Sequence, residues 1–405
     1  MSILVCTVGG SPQPIVRAII AHHPTFVLFV CSSDDGVTGL RGSYTQVLGQ
    51  GMVASSKQGG PPDLPNIPTQ AGLREDQFDC IQVPPDDPVE IARILRDHFR
   101  ELLAKGDVIA DYTGGTKSMS AGMFLAAVQC DGVSLSLVGG RRHNLVRVTD
   151  GHERAQTVNV SSIRTQWLLD EARRCWRRYA YGEAHRLLDT CRDPSEEIDL
   201  RRVLSGGFAA WDAFDHKLAY EMLHAFGGHL RADLMPALAQ MQRDGDRADP
   251  LRIVDLVHAS ARRAAAAQFD SATLLLYRSF EWIGQWSLRV HHGVQAGDVP
   301  ESMKEKLDGL LHANHKGKLV LGMHNLWTAL ARLQGPLAAV GVNTHKSRLG
   351  FAELRNTSLY AHGTRPITQA DYLDAKRWFE TEAYPQFIDV AFKGTPPFQQ
   401  LPDTW

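Results

Sequence analysis

The sequence predicts a parallel, doubly wound α/β sheet over roughly the first 150 residues, followed by an all-α remainder. Short β-branched runs alternate with helical patterns as far as Val138, and strand signals almost vanish from Ser161 onward. The polar stretch RDGDRADP, Arg243 to Pro250, then divides the helical part into a spacer and a C-terminal bundle.

The first strand is expected at Ile3 to Val8, ended by Gly9-Gly10-Ser11, with a proline-opened helix over Pro14 to Ala21. Further strands follow at Phe26 to Cys31, Phe78 to Val83, Asp107 to Tyr112 and Val133 to Val138. Leu145 to Val148 is expected to pair with the last of these after the turn GGRRHN. A helical pattern covers Asp87 to Lys105, and a small-residue helix follows Thr113-Gly114-Gly115-Thr116-Lys117-Ser118. The Gly-, Ser- and Pro-rich segment Ser32 to Arg74 reads as a partly mobile insertion.

In the second half, helices are expected at Ile163 to Tyr179, Tyr181 to Cys191, Glu197 to Ala209, His216 to Ala225 and Ala232 to Gln242. Others are expected at Leu251 to Gln268, Ser271 to Val290, Lys318 to Leu333, Lys346 to His362 and Gln369 to Glu382. No long-period repeat stands out, although WRRYAYGEAHRLLDTC has the form of one helix-turn-helix unit.

The net charge of -2 excludes a global polycation, so a nucleic-acid partner would have to be held in a local groove. Six cysteines lie scattered without CxxC spacing, which argues against a zinc ribbon or disulfide framework and for a reducing compartment. With no basic leader pattern and no long apolar run, a cytoplasmic protein without membrane contact is expected.

In an open parallel sheet, ligands settle over the carboxyl ends of the strands, where helix N-termini point free N–H groups. Those ends carry Gly9, Gly10 and Ser11 in one loop, and Thr113, Gly114, Gly115, Thr116, Lys117 and Ser118 in another. Glycines allow close backbone approach to a phosphate, hydroxyls and N–H groups donate to its oxygens, and Lys117 adds a positive charge. Neither a Walker A loop nor a G-x-G-x-x-G fingerprint is present, and GGTK by itself also suits a plain strand-to-helix turn. Arg141, Arg142 and His143 either rim the same crevice or form an exposed hairpin tip. The face formed by Arg173, Arg174, Arg177 and Arg178 is read first as a solubilising surface.

Near the C-terminus, LRNTSLYAHG places Arg355 and His362 seven positions apart. On an unbroken helix they share a face about 10 Å apart along the axis, too far to grip one phosphate easily from one chain. Two antiparallel copies across a twofold axis would bring the Arg of one chain to the His of the other. Gly363 and Pro366 are read as the helix stop, leaving His362 in the last turn with its protonated form favoured. Asn356 beside the arginine can hold a phosphate or orient a base. This set suits RNA cleavage without a metal: a base takes the ribose 2′-OH proton, O2′ attacks the adjacent phosphorus, and the arginine stabilises the pentacoordinate charge.

TVGGSPQPIV, DYTGGTKSMSAG and RNTSLYAHG, in that order, resemble the motifs of the CRISPR-associated CARF-HEPN ribonucleases, the ancillary effectors of type III systems. The first two resemble the ligand loops of the Rossmann-like CARF domain, and the third the Arg-polar-spacer-His signature of HEPN domains. FDSATLLLYRSFEWIGQ, with Asp270, Tyr277, Arg278 and Glu281, resembles the preceding helix of one HEPN subgroup.

The resemblance implies a CARF domain over residues 1–155, a helical spacer over 156–248 and a HEPN nuclease bundle over 249–405. It implies a homodimer that binds cyclic oligoadenylate in the CARF loops, needs no further cofactor, and cleaves single-stranded RNA with Arg355, Asn356 and His362. Some relatives degrade their own activator, and Ser11, Thr116 and Lys117 supply the group types for such ring nuclease activity. The rival expectation is a non-catalytic sensor that signals through the bundle.

Overall fold

The structure is a computed structural model that describes residues 1–34, 36, 39–49, 52–54, 63–139, 142–143, 147–148, 154–158, 160–191, 195–343, 353–360 and 363–405. Two compact units emerge: Met1–Leu168, and Leu169–Cys191 with Ser195–Trp405. No described helix is long and apolar enough to cross a membrane.

The first unit is built on six strands: β1 (Ser2–Thr7), β2 (Phe26–Ser32), β3 (Phe78–Val83), β4 (Asp107–Asp111), β5 (Val133–Gly139) and β6 (Arg154–Val158). Their order is β6-β5-β4-β1-β2-β3, and every pairing is parallel except β6 against β5. Strand alternation sends Ile3 and Val5 into one core and Leu4 and Cys6 into the other. The first core is closed by α2 (Pro88–Leu103) and α3 (Lys117–Gln129), the second by α1 (Gln13–His22). Asp87 caps α2 by accepting from the Val89 and Glu90 amides, and Pro88 occupies the first turn, where its missing N–H costs nothing.

Two expectations for this unit are corrected. Arg147–Val148 pairs with Arg142–His143, not with β5, whose outer partner is β6. The sequence RAQTV signals a strand weakly because an edge strand carries polar residues without cost. The insertion after Ser32 is in part built into the core: Val47 and Ile67 are fully buried, and Asn66 Nδ2 donates to the carbonyls of Val47 and Gly49. Residues 55–62 of the insertion lie outside the described residues.

The helix α4 (Ser161–Trp176) follows, and in the first unit Arg164 donates to the carbonyls of Ala127, Val128 and Cys130 at the end of α3 and to that of Val133 at the start of β5. The second unit continues with α5 (Tyr181–Asp189), α6 (Glu196–Asp212), α7 (His216–Leu223), α8 (Leu234–Met241), α9 (Asp249–Ala265) and α10 (Phe269–His292). After these come α11 (Met323–Leu333), α12 (Ala338–Asn343), α13 (Gln369–Trp378) and α14 (Tyr384–Phe392). The helix expected from Lys318 starts only at Met323, because Leu319–Val320 forms a short antiparallel ladder with His312–Ala313. Between α13 and α14 a π-helical turn, Phe379–Ala383, carries the chain on, so the helix expected to end at Glu382 runs further.

A repeat that composition hides is visible in the turns. Tyr179, Phe214 and Ala267 all have left-handed φ, at 58°, 66° and 57°. The amide after each donates five residues back: Ala180 to Cys175, Asp215 to Ala210, Gln268 to Arg263. The hairpins α4–α5, α6–α7 and α9–α10 are therefore closed by one turn geometry, at unequal spacing along the sequence.

Under these hairpins lies a buried ionic cluster. Arg262, 0% exposed, donates through Nε to Asp212 and through Nη2 to Asp255, and Asp255 also meets His216 Nε2 at 2.8 Å. Removing one partner of such a set costs about 3–5 kcal/mol, because the remaining charge is left buried. The C-terminal segment straps across the same helices: Tyr181 donates to the Pro402 carbonyl, Arg262 Nη1 to Gln400, and Trp405 lies between Arg173 and Arg201.

Candidate functional site

In the first unit, the strand order reverses direction of winding between β1 and β4, the place where open α/β sheets bind ligands. The loops leaving these two strands are the two predicted glycine loops, and the structure brings them into backbone contact. A side-chain carbon on Gly9 would stand 2.7 Å from Gly115 N, and one on Gly114 would stand 2.3 Å from the Thr7 carbonyl. Gly115 has φ +82°, a conformation that favours glycine. The glycines are thus needed for loop-to-loop packing as well as for any ligand. Gly10 has open space around it, and Ser11 and Lys117 are exposed.

Supporting polar groups hold these loops. The buried Thr7 hydroxyl donates to the Gly114 carbonyl at 2.7 Å, and Ser120 donates to the same oxygen. Thr113 Oγ1 accepts from the Val138 amide. The Thr116 hydroxyl donates to the Pro85 carbonyl and accepts from Met119 N, so it works as the cap of α3. Fully buried Asp111 accepts from the Thr113 amide and from Ser136 Oγ, which in turn meets His22 Nε2 at 2.8 Å. Burial pushes the Asp111 carboxyl up, against the hydrogen bonds that lower it. Sequence reasoning missed Thr7, Asp111 and Ser136; the legible signal was the carboxylate that follows the apolar run VIA in the strand DVIAD. Ser118 is half-buried in the first turn of α3.

In the second unit, α10 presents Tyr277, Arg278 and Glu281. Its opposite side is core: Ala272, Leu276, Phe280, Ile283 and Gly284 recur at three- and four-residue spacing. Phe280 stacks on Trp327 of α11 with ring centres 4.4 Å apart. A carbon added to Gly284 would stand 2.9 Å from Leu326, so this glycine sets how closely α10 and α11 pack.

The guanidinium of Arg355 sits over the Tyr277 ring at 5.4 Å, and its Nη1 donates to Asn356 Oδ1 at 2.9 Å. Arg355 Nε is buried with no hydrogen-bond partner among the described residues. Burial and the Glu281 charge raise the Tyr277 hydroxyl pKa, against the pull of Arg355. Arg278 pairs with Glu281 and Gln285 and lies over Trp282. Asp270 accepts from the Ile367 amide, fastening the segment after the motif to the start of α10.

The helix expected from Lys346 to His362 is corrected. Helical residues run over 353–357 and stop there. Thr357 Oγ1 turns back to the Leu354 carbonyl, Ser358 Oγ and N to the Arg355 carbonyl, and the chain leaves the helix, as short hydroxyl side chains promote. Ser358 then bridges to Arg365 in parallel sense, Gly363 N donates to the Ser358 carbonyl, and Arg365 N to the Thr357 carbonyl. A carbon added to Gly363 would stand 1.9 Å from the Thr357 carbonyl, so Gly363 serves a close approach of two backbones and not the predicted helix stop. Arg355 and His362 do not share one unbroken helix, which removes the grounds for the one-face spacing and for a helix dipole acting on the imidazole. His362 itself lies outside the described residues, as do Arg141 and the side chain of His143. Among the described residues no three His, Cys, Asp or Glu side chains group as a metal site.

Residues 243–382 match the family model of the Csm6 HEPN domain. Among solved structures, Enterococcus italicus Csm6 bound to cyclic hexa-2′-fluoro-hexa-dAMP matches with TM-score 0.55 and 11% sequence identity, over 99% of this chain and 95% of that chain. Can2 from Sulfobacillus thermosulfidooxidans in complex with cyclic tetra-adenylate matches with TM-score 0.24 and 14% identity, over 55% of this chain and 68% of that one. No curated protein matches the sequence significantly. With its Rossmann-like sheet first and its helical bundle second, the chain has the fold of the Enterococcus italicus Csm6, and its residues 243–382 are similar to the Csm6 HEPN domain.

Proposed function

We propose that the protein is a cytoplasmic, homodimeric endoribonuclease of type III CRISPR defence, activated by cyclic oligoadenylate and active on single-stranded RNA without a metal. The observation that carries this reading is Arg355, held over Tyr277 with Nη1 on Asn356 and with a buried Nε free of partners among the described residues. A guanidinium oriented in this way has donors to spare for a phosphorane oxygen.

In the proposed step a base removes the 2′-OH proton, and the O2′–P bond forms as the P–O5′ bond breaks. The products are a 2′,3′-cyclic phosphate and a 5′-hydroxyl, the leaving O5′ taking up a proton. His362 is assigned to proton transfer, Arg355 to the phosphorane charge and Asn356 to orientation. Since one chain supplies one Arg and one His, two copies would complete the centre at a twofold axis.

The activator is assigned to the crevice between β1 and β4, where Gly9, Gly10, Ser11, Thr113, Gly114, Gly115, Thr116, Lys117 and Ser118 converge. The Csm6 of similar fold was solved with a cyclic hexa-adenylate analogue, which supports a ligand of that class. Its binding would bias the dimer toward aligned HEPN sites. Cleavage of fluorescent single-stranded RNA in EDTA, with and without cyclic oligoadenylates of different ring size, tests the reading. Activator-dependent cutting that His362→Ala abolishes, with activator binding intact, is expected. Wild-type-rate cutting by that variant would sink the assignment, and tight binding without any cutting would favour the sensor.

A further inference from the structure

Two cavities in the second unit adjoin. One, of about 720 Å³, opens among α5, the turn before it, α6 and α9 and is lined by Arg178, Tyr179, Arg186, Asp212 and Arg263. The other, of about 400 Å³, shares Asp212, Ala213 and Arg263 with the first and extends to Phe214 and Tyr360. The left-handed turn residues of all three hairpins, Tyr179, Phe214 and Ala267, fall on these linings, so the repeated turn geometry builds the depression.

The two halves differ in chemistry. Four arginines face the larger cavity against two carboxylates, Glu183 and Asp212. Arg178 is engaged by Glu183, and Arg262 and Arg263 share Asp212, whereas exposed Arg186 has no ion-pair partner among the described residues. The smaller cavity has apolar walls, Leu256, Leu274 and Leu275, with Phe214 and Tyr360, the latter 59% exposed, also on its lining. Tyr360 stands two positions before His362 and belongs to the loop that leaves Arg355.

We propose that the two cavities form one trough for single-stranded RNA, its phosphates on the Arg186 and Arg263 side and one base in the slot between Phe214 and Tyr360 beside the scissile bond. This rests on the ribonuclease reading and names where its substrate lies. A charged groove that tracks the backbone, next to aromatic rings that accept any base, is the combination that single strands require. The small side chains of alanines 265–267 on the lining leave width for a sugar-phosphate chain.

The experiment compares wild type, Arg186→Glu and Arg186→Lys on a single-stranded RNA 20-mer and a tetranucleotide, with activator. Arg186→Glu should raise KM for the 20-mer about tenfold with kcat little changed, flatten the salt dependence, and leave the tetranucleotide unaffected. Arg186→Lys should restore most of the loss, which a role in folding alone would not produce. An unchanged KM for the 20-mer would overturn the trough. Should the wild type cut no RNA, the ribonuclease reading falls, and the trough is judged by fluorescence anisotropy of the labelled 20-mer. There, equal affinity of wild type and Arg186→Glu would overturn it.

Discussion

Arg355 and Tyr277, far apart in the sequence, meet with the guanidinium carbon 5.4 Å from the ring centre. The contact joins the two motifs of the bundle, the Arg-Asn pair and the Leu-Tyr-Arg of α10. A cation over an aromatic face is worth about 0.5–2 kcal/mol depending on desolvation. It also fixes the side-chain direction that the proposed chemistry needs.

Tyr277→Ala is therefore expected to lower activator-stimulated RNA cleavage by roughly threefold to thirtyfold, through kcat more than KM. Tyr277→Phe keeps the ring and should stay near wild type. Single-turnover rates on a labelled RNA check both. Equal losses in the two variants would mean that the hydroxyl, and not the ring face, matters.

Gly114→Ala tests the crevice of the first unit. The added carbon meets the Thr7 carbonyl at 2.3 Å, so the two loops must separate. Calorimetric titration with cyclic oligoadenylate should show at least about a tenfold loss of affinity, near 1.4 kcal/mol. Gly10→Ala, whose added carbon meets no protein atom, should leave the two loops in place, so any loss of affinity there would come from contact with the ligand itself. Indistinguishable affinities for Gly114→Ala and wild type would place the ligand elsewhere.

Acid stability should depend on His258. Burial lowers its pKa from 6.5 to about 4, and its ring packs edge-on against Phe398 under the C-terminal strap. In the folded state the imidazole stays neutral while the unfolded chain protonates below pH 6.5. Its neutral burial therefore costs nothing above that pH, and stability is lost progressively as pH falls from 6.5 to about 4. The loss is on the order of 3 kcal/mol. Urea midpoints for wild type and His258→Leu across pH 4–7 check this, with a flatter profile expected for the variant.

Much of the architecture is legible in the sequence because it is local. Period-two and short apolar runs mark β1 to β5, helical spacing marks most of the bundle, and glycines after strands mark the crevice at the sheet's switch point. Arg355 and Asn356 stand out by type and neighbourhood. The remainder was decided by contacts between distant segments, which no local period encodes. The polar segment RAQTV becomes β6 only because β5 offers it an edge. The helix carrying Arg355 stops at residue 357 because two hydroxyls fold back onto its last carbonyls and Arg365 returns to bridge Ser358, where periodicity alone extends it to His362. The same holds for Arg355 over Tyr277 and for Arg263 shared by two cavities: residue types are written in the chain, but their company is set by how the helices pack.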